Sequence, residues 1–295
     1  GGKGGGGGFG KGGPPNATYR FEVHCISAAD GKTLWKQTAL EARPKISTHS
    51  SNTYATETPV TDGEHVYAYF GMHGLFCYDM TGKLVWKKDL GTFSMMAGWG
   101  TAASPVLDGN RLFIQCDNEE RSFLVALDKK DGKELWRAPR TERSTWCTPL
   151  VWKNKQRTEV IAIGSKVRSY NPEDGKVLWE LNIGGGQCSV SPTANDDLLY
   201  VGAGSGGRGG GGMGGFQPKG GVQPKGGMGG GGGTLYAVKA GASGDITPKA
   251  GENSSEGVAW LQKSSGLGMA SPLVYKDHVY VFERNGGFVN CYDAE

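Results

Sequence analysis

Asp131-Gly132-Lys133-Glu134-Leu135-Trp136 decides the fold, because the chain writes nearly the same phrase several times. It reads Asp-Gly-Lys-Thr-Leu-Trp at Asp30 to Trp35 and Thr-Gly-Lys-Leu-Val-Trp at Thr81 to Trp86. It returns as Asp-Gly-Lys-Val-Leu-Trp at Asp174 to Trp179, and a degraded copy ends at Trp260. A second mark runs out of phase with the first. It is a Ser/Thr-Pro step followed by Val, Leu or Thr, at Pro59, Pro105, Pro149, Pro192 and Pro272. The last of the four intervals is nearly twice the others and contains one obvious insertion. A period in the low forties with several short strands per period is the signature of a β-propeller blade.

Each repeat divides into four strands. In the second, Glu57 to Val60 opens an inner strand, Thr61-Asp62-Gly63-Glu64 turns, and His65 to Phe70 and Leu75 to Asp79 follow. The Thr81-Gly82-Lys83 turn then leads to a fourth strand through Trp86. β-Branched and aromatic runs bounded by Asp-Gly turns suit hairpins, since glycine accepts positive φ without a steric penalty. A Pro at the start of each inner strand fits too, because the first residue of a strand need not donate to the ladder.

The expectation is an all-β chain: a β-propeller of four-stranded antiparallel blades, one partial domain over residues 1–295. Residues 1–18 and 204–233 read as Gly-rich flexible loop insertions between second and third strands. Gly241 to Gly257 reads as a smaller insertion extending the last turn of the fifth repeat. This register gives two strands, then four full blades, then three strands. Those ends do not complement each other, so the chain reads as a fragment of a 7- or 8-bladed ring, with its edges hidden only on closure.

Composition narrows the function classes. The 295 residues carry a formal charge of +3 with Lys and Arg scattered, which does not suggest a nucleic-acid stripe. No apolar run approaches the length of a membrane span. The chain opens on polyglycine without an initiator Met and reads as truncated, which leaves peripheral membrane association through a missing N-terminus open. Cys25, Cys77 and Cys291 fall at one repeat position, filled by Ala126, Ser169 and Ala237 elsewhere, and read as small buried residues. Cys116, Cys147 and Cys188 fall in non-equivalent places, and no CxxC metal spacing is present.

Ala126-x-Asp128-x-x-x-Gly132-Lys133-x-x-Trp136 resembles the tryptophan-docking motif of the pyrroloquinoline-quinone-like (quinoprotein-type, BamB-like) propeller repeat family. Cys25 to Trp35 and Ser169 to Trp179 keep the same frame, and Cys77 to Trp86 is one residue shorter. The resemblance implies that Trp35, Trp86, Trp136, Trp179 and Trp260 pack between adjacent blades against the neighbouring turn, a seam suited to a large ring with one N–H. Asp79 and Asp128 read as turn-stabilising carboxylates. The resemblance also raises pyrroloquinoline quinone with Ca²⁺, held in the dehydrogenases of this family under a vicinal Cys-Cys disulfide by a Glu/Asn/Asp set. This chain has no adjacent cysteines and no sequence-visible match to that set. Gly202-x-Gly204-x-x-Gly207 matches a dinucleotide fingerprint only literally, because more glycine follows where a helix must begin.

Binding residues are expected in the loops from each outer strand to the next inner strand, which all emerge on one face. They include His49 and Asn52, Trp99, Arg143 and Trp146, and Gln187. Trp99 and Trp146 lie outside the docking phrase, so the repeat does not explain them, and aromatics beside an Arg suit recognition. The expected function is a non-catalytic binding or assembly scaffold for a protein partner, without a cofactor, in the extracytoplasmic location (periplasm or cell envelope) that the resemblance implies. Two alternatives stay open. One is a pyrroloquinoline-quinone- and Ca²⁺-dependent dehydrogenase with ligands partly outside this chain. The other is a carbohydrate- or small-ligand-binding propeller that stacks its ligand on Trp99 and Trp146.

Overall fold

The computed structural model describes residues 13–184, 188–203, 233–283 and 287–294. Six sheets follow one another along the chain, and we call them blades 1 to 6. Blade 1 is the hairpin β1 (Tyr19–Ile26) and β2 (Thr33–Ala42). Blade 2 holds β3 (Val60–Thr61), β4 (His65–Tyr69), β5 (Leu75–Asp79) and β6 (Leu84–Lys88). Blade 3 holds β7 (Val106–Asp108), β8 (Arg111–Cys116), β9 (Phe123–Asp128) and β10 (Glu134–Pro139). Blade 4 begins with β11 (Leu150–Lys153), β12 (Thr158–Ile163), β13 (Lys166–Tyr170) and β14 (Val177–Asn182). Blade 5 contains β15 (Thr193–Ala194), β16 (Leu198–Ala203), β17 (Gly233–Lys239) and, after a short β18 (Gly244–Asp245), β19 (Val258–Leu267). Blade 6 is β20 (Leu273–Tyr275), β21 (His278–Phe282) and β22 (Val289–Asp293).

With β18 set aside, the order two, four, four, four, four, three matches the sequence expectation, and the strands of each blade form an antiparallel meander. Among the described residues no strand of blade 1 pairs with a strand of blade 6, and no helix is long and apolar enough to cross a membrane. Residues 1–12 and 204–232, the bulk of the two Gly-rich tracts, lie outside the described residues.

One cross-strand rule explains the repeat. Tyr67 pairs with Cys77, which pairs with Trp86. Phe113, Ala126 and Trp136 form the same row in blade 3, and Tyr200, Ala237 and Trp260 in blade 5. Aligned residues share one face of a sheet. A small third-strand residue therefore lets the second-strand aromatic meet the fourth-strand indole across it, at 5.9 Å in all three blades. Blade 4 departs from the rule, with Ile161, Ser169 and Trp179 in that row. Cys77 is buried in such a row, as expected for a small apolar residue, whereas Cys291 is exposed on β22.

The Ser/Thr-Pro marks form an inner girdle. The Thr58 amide donates to Ser104 Oγ (2.9 Å), and the Ser104 amide to Thr148 Oγ1 (3.1 Å). The Thr148 amide donates to Ser191 Oγ (3.1 Å), and the Ser191 amide to Ser271 Oγ (3.0 Å). The expected inner strands therefore start later than the sequence suggests. The Thr58 and Ser104 amides donate to a hydroxyl of the neighbouring blade rather than to a ladder. Four apolar clusters fill the space between blades, the largest spanning blades 4, 5 and 6.

Two boundaries differ from the sequence reading. Gly241 to Gly257 does more than lengthen a turn: β18 pairs in parallel with β14, Trp179 opposite Gly244 and Glu180 opposite Asp245, and adds a fifth strand to blade 4. β19 also runs on to Leu267, which is buried at the strand end. Leu267 fits there because Gly202 opposite has no side chain to block it.

Candidate functional site

The fourth-strand tryptophans sit at the outer rim of the seams. Trp35 Nε1 donates to the Met80 carbonyl of blade 2 (2.9 Å), Trp86 Nε1 to Lys129 of blade 3 (3.0 Å) and Trp136 Nε1 to Pro172 of blade 4 (2.9 Å). Each receiving turn presents a glycine to the ring. A Cβ on Gly82, Gly132 or Gly175 would approach within 2.8, 2.7 and 2.6 Å of the indole. All three glycines also have φ between +71° and +87°, the left-handed region that a side chain disfavours. Asp79 Oδ1 accepts from the Thr81 and Lys83 amides, and Asp128 Oδ1 from the Lys130 amide, so both carboxylates hold turns. Trp260 is half-buried and rests on Tyr200.

Trp179 is placed differently. It is 1% exposed, and its Nε1 donates to Glu159 Oε2 of its own blade at 2.7 Å. Ser169 Oγ donates to the same carboxylate oxygen, while Asn154 and Arg157 donate to Glu159 Oε1. Glu159 is fully buried, and these four donors compensate its desolvation. Trp152, which the repeat reading did not single out, crosses this seam instead, donating Nε1 to the Asn195 carbonyl of blade 5 (2.7 Å).

The loop face brings four of the predicted binding residues together. Trp99 and Trp146 lie with ring centroids 5.3 Å apart at 39°, and His49 meets Trp99 edge-on at 6.4 Å. Asn52 Nδ2 donates to the Trp99 carbonyl (3.0 Å), and Trp146 Nε1 donates to the Gly100 carbonyl (2.8 Å). Both indoles are half-buried and His49 is exposed. The loops thus interlock from blade to blade, and the Trp146 amide continues the chain of bonds to the Cys188 carbonyl (2.8 Å). Arg143 is set apart from the aromatic row: its exposed guanidinium pairs with Glu119. Burial raises the Glu119 carboxyl, but hydrogen bonds from the Ser144 hydroxyl and amide and the Arg143 pair outweigh it, leaving the group below the usual carboxylate range. Gln187 lies outside the described residues.

An open pocket of about 650 Å³ adjoins the row, lined by Tyr19, Glu22, His24, His49, Asn52 and Tyr54 among others. Tyr19 and Tyr54 meet edge-to-face in it at 5.3 Å.

Beneath the loops lies a buried polar cluster that the sequence reading missed. Arg140 donates to both oxygens of Asp117 (2.8 and 3.0 Å) and to the Tyr170 hydroxyl (2.8 Å), with neither charged side chain reaching solvent. Gln115 Nε2 and Thr145 Oγ1 also donate to Asp117 Oδ2. Burial opposes the Arg140 charge, but the adjacent Asp117 charge outweighs burial and holds the guanidinium above its ordinary value. Arg140 and Asp117 belong to blade 3 and Tyr170 to blade 4, so the cluster ties two blades.

Among the described residues no group of three or more His, Cys, Asp or Glu side chains is placed to hold an ion. Asp117, a buried carboxylate, is engaged by Arg140, Gln115 and Thr145.

A repeated Trp-on-turn seam in four-stranded blades defines a propeller of the pyrroloquinoline-quinone-like class. The chain belongs to the family described as outer membrane protein assembly factor BamB, whose model matches residues 20–209, more than half of its length. No curated protein matches it in sequence. Among solved structures it is similar to BamB from Moraxella catarrhalis, at 13% identity and TM-score 0.58, covering 94% of this chain and 76% of that one. It is also similar to the computationally designed Ika8 protein, at 12% identity and TM-score 0.52, covering 90% and 62%. A third match is the quinohemoprotein alcohol dehydrogenase of Comamonas testosteroni, at 12% identity, TM-score 0.46 and coverage of 84% and 43%.

Proposed function

We propose that this chain is a non-catalytic, BamB-like propeller that holds a protein partner on its loop face, in the extracytoplasmic compartment that the family resemblance suggests. The observation that carries this reading is the row His49, Trp99, Trp146. Three successive loops bring these rings together, the two indoles tilted and half-buried and His49 edge-on and exposed, held by hydrogen bonds to the Trp99 and Gly100 carbonyls. Half-buried aromatics held rigid, with Asn52 and Arg143 as a polar rim, are what an interface hot spot requires. The tryptophans of the outer rim serve the seams and stay outside the recognition surface.

The test is site-specific photo-crosslinking in the full-length protein. A photoreactive residue at His49 or Arg143 should give a discrete protein adduct, and Trp99→Ala should abolish it. The same probe at exposed Leu34 of β2 should give none. Adducts of equal yield at Leu34, or none from the loop face, would sink the reading. So would saturable binding of pyrroloquinoline quinone with Ca²⁺ accompanied by dye-linked alcohol oxidation.

The small-ligand reading rests on the pocket beside Tyr19, His24, His49 and Tyr54, whose volume falls in the range of small-molecule sites. Glycan binding lost on Tyr54→Ala and retained on Trp146→Ala would favour it.

A further inference from the structure

The Ser/Thr-Pro girdle sets up a register across the inner seams of blades 2 to 5. The residue two before the proline of one blade faces the residue four before the proline of the next. At the seam of blades 2 and 3 these positions are Glu57 and Thr101, and Thr101 Oγ1 donates to Glu57 Oε1 at 2.6 Å. At the seam of blades 3 and 4 they are Ala103 and Thr145. At the seam of blades 4 and 5 they are Cys147 and Cys188. Two cysteines with no equivalence in the linear repeat thus meet by the offset between neighbouring blades.

The local geometry holds them together. The Trp146 amide donates to the Cys188 carbonyl at 2.8 Å, and one step further along the Thr148 amide donates to Ser191 Oγ at 3.1 Å. These two bonds clamp the backbone on either side of Cys147 against the segment that carries Cys188. Both side chains are buried, at 0% and 1% exposure, within one apolar cluster. The two side chains act on each other: burial, then the Cys188 side chain, push the Cys147 thiol up, and the Cys147 side chain draws the Cys188 thiol down. Cys188 Sγ also lies 3.6 Å from the Val190 carbonyl.

We propose that Cys147 and Cys188 are a disulfide site, a covalent clasp across the inner seam of blades 4 and 5. The structure holds both as free thiols. Closing the bond removes two protons and two electrons. A small-molecule or protein disulfide, such as glutathione disulfide or a thiol–disulfide oxidoreductase, takes them up and becomes two thiols. Either cysteine can attack first, as its thiolate, once the seam is open. One thiolate displaces one thiol from the oxidant, and the other cysteine then displaces the second from the mixed disulfide. Buried thiols do not meet an oxidant in the closed fold, so the exchange belongs to folding or to transient opening of this seam.

The test maps thiols in the full-length protein after equilibration with a glutathione/glutathione-disulfide buffer just below its melting temperature. Acid quenching, alkylation in denaturant without reductant and trypsin digestion follow. The expected product links peptide 144–153 to peptide 177–208, two hydrogens lighter than the sum of the separate thiol peptides. Reductant should then lower the Tm of the oxidised protein by several degrees, and Cys147→Ser should leave Cys188 carrying glutathione. Recovery of both cysteines alkylated, or either one linked to Cys77 or Cys116, would overturn the proposal without bearing on the partner-binding reading. The mapping uses the unmodified protein, so it stands even if the variant does not fold.

Discussion

The seams on either side of blade 3 and the seam between blades 4 and 5 come from one repeat and close in different ways. At the regular seams, Trp86 and Trp136 lie half-buried on the next blade's turn and donate to a backbone carbonyl, with a left-handed glycine making room for the ring. At the irregular seam, the insertion after β17 occupies the place of that turn. β18 pairs with β14, Ala242 and Ile246 join the core around Trp179, and the indole is turned inward onto the buried Glu159. Trp152 and the Cys147–Cys188 pair make the crossing that the docking tryptophan makes elsewhere. A repeat therefore specifies a tryptophan, while the acceptor depends on whether the neighbouring turn is intact.

Truncating the two kinds of tryptophan tests that difference most directly. Trp179→Ala empties a fully buried site and removes one of four donors from a buried carboxylate. The expected cost is about 5 kcal/mol, at the upper end for a buried aromatic because an under-satisfied charge remains. Trp136→Ala removes a half-exposed ring and one carbonyl bond, and should cost about 2–3 kcal/mol. Denaturant unfolding of both variants compares them. Equal losses would erase the distinction between the seams, and an unchanged midpoint for Trp136→Ala would remove the seam role of the docking phrase.

The glycines give a smaller and sharper contrast. Gly175 has φ +71° and would place a Cβ 2.6 Å from the Trp136 ring, so alanine there meets both backbone strain and a rigid neighbour. Gly241 has a comparable φ of +82°, but its Cβ would meet only the Gln156 side chain, at 3.1 Å. Gly175→Ala should cost about 2–3 kcal/mol and Gly241→Ala about 1 kcal/mol, the backbone share alone. If both lost the same amount in thermal melts, the close approach of ring to turn would carry no energy of its own.

How much of this was legible in the chain follows from range. The Gly-Lys-x-x-Trp phrase and the Ser/Thr-Pro steps gave six sheets in the right order, because strand period and turn chemistry are local. The shared position of Cys77, Ala126, Ser169 and Ala237 was also readable, and the cross-strand row supplies its reason: the third strand must be thin where Tyr67 meets Trp86. The environment of Trp179 was not readable, since its phrase is intact and the change lies in the insertion beyond Lys239. Neither was the Arg140–Asp117 pair, whose members lie outside every repeated mark and meet only through packing. At the loop face, His49, Asn52, Trp99 and Trp146 were singled out individually as residues the repeat does not need. Their assembly into one row depends on the girdle, which fixes how far each loop is offset from the next.

Glu57 carries the comparison of seams to the inner girdle, where the expected effect is smallest. It stands at the register position held by Ala103 and Cys147 in the next blades, so the fold places a carboxyl where its other copies are small and apolar. Burial holds that carboxyl above its ordinary 4.5, partly offset by the hydrogen bond from Thr101. The folded state therefore binds this proton more tightly than the unfolded chain. Stability from the neutral acid is complete below 4.5 and declines as pH rises through the folded value. Glu57→Gln keeps the shape and the acceptor for Thr101 while removing the titration. Its Tm should equal that of the parent at about pH 4 and exceed it by a few degrees at about pH 8. A difference independent of pH would mean that Glu57 is ionised in the fold, and the seam of blades 2 and 3 would then accommodate a buried charge much as Glu159 is accommodated in blade 4.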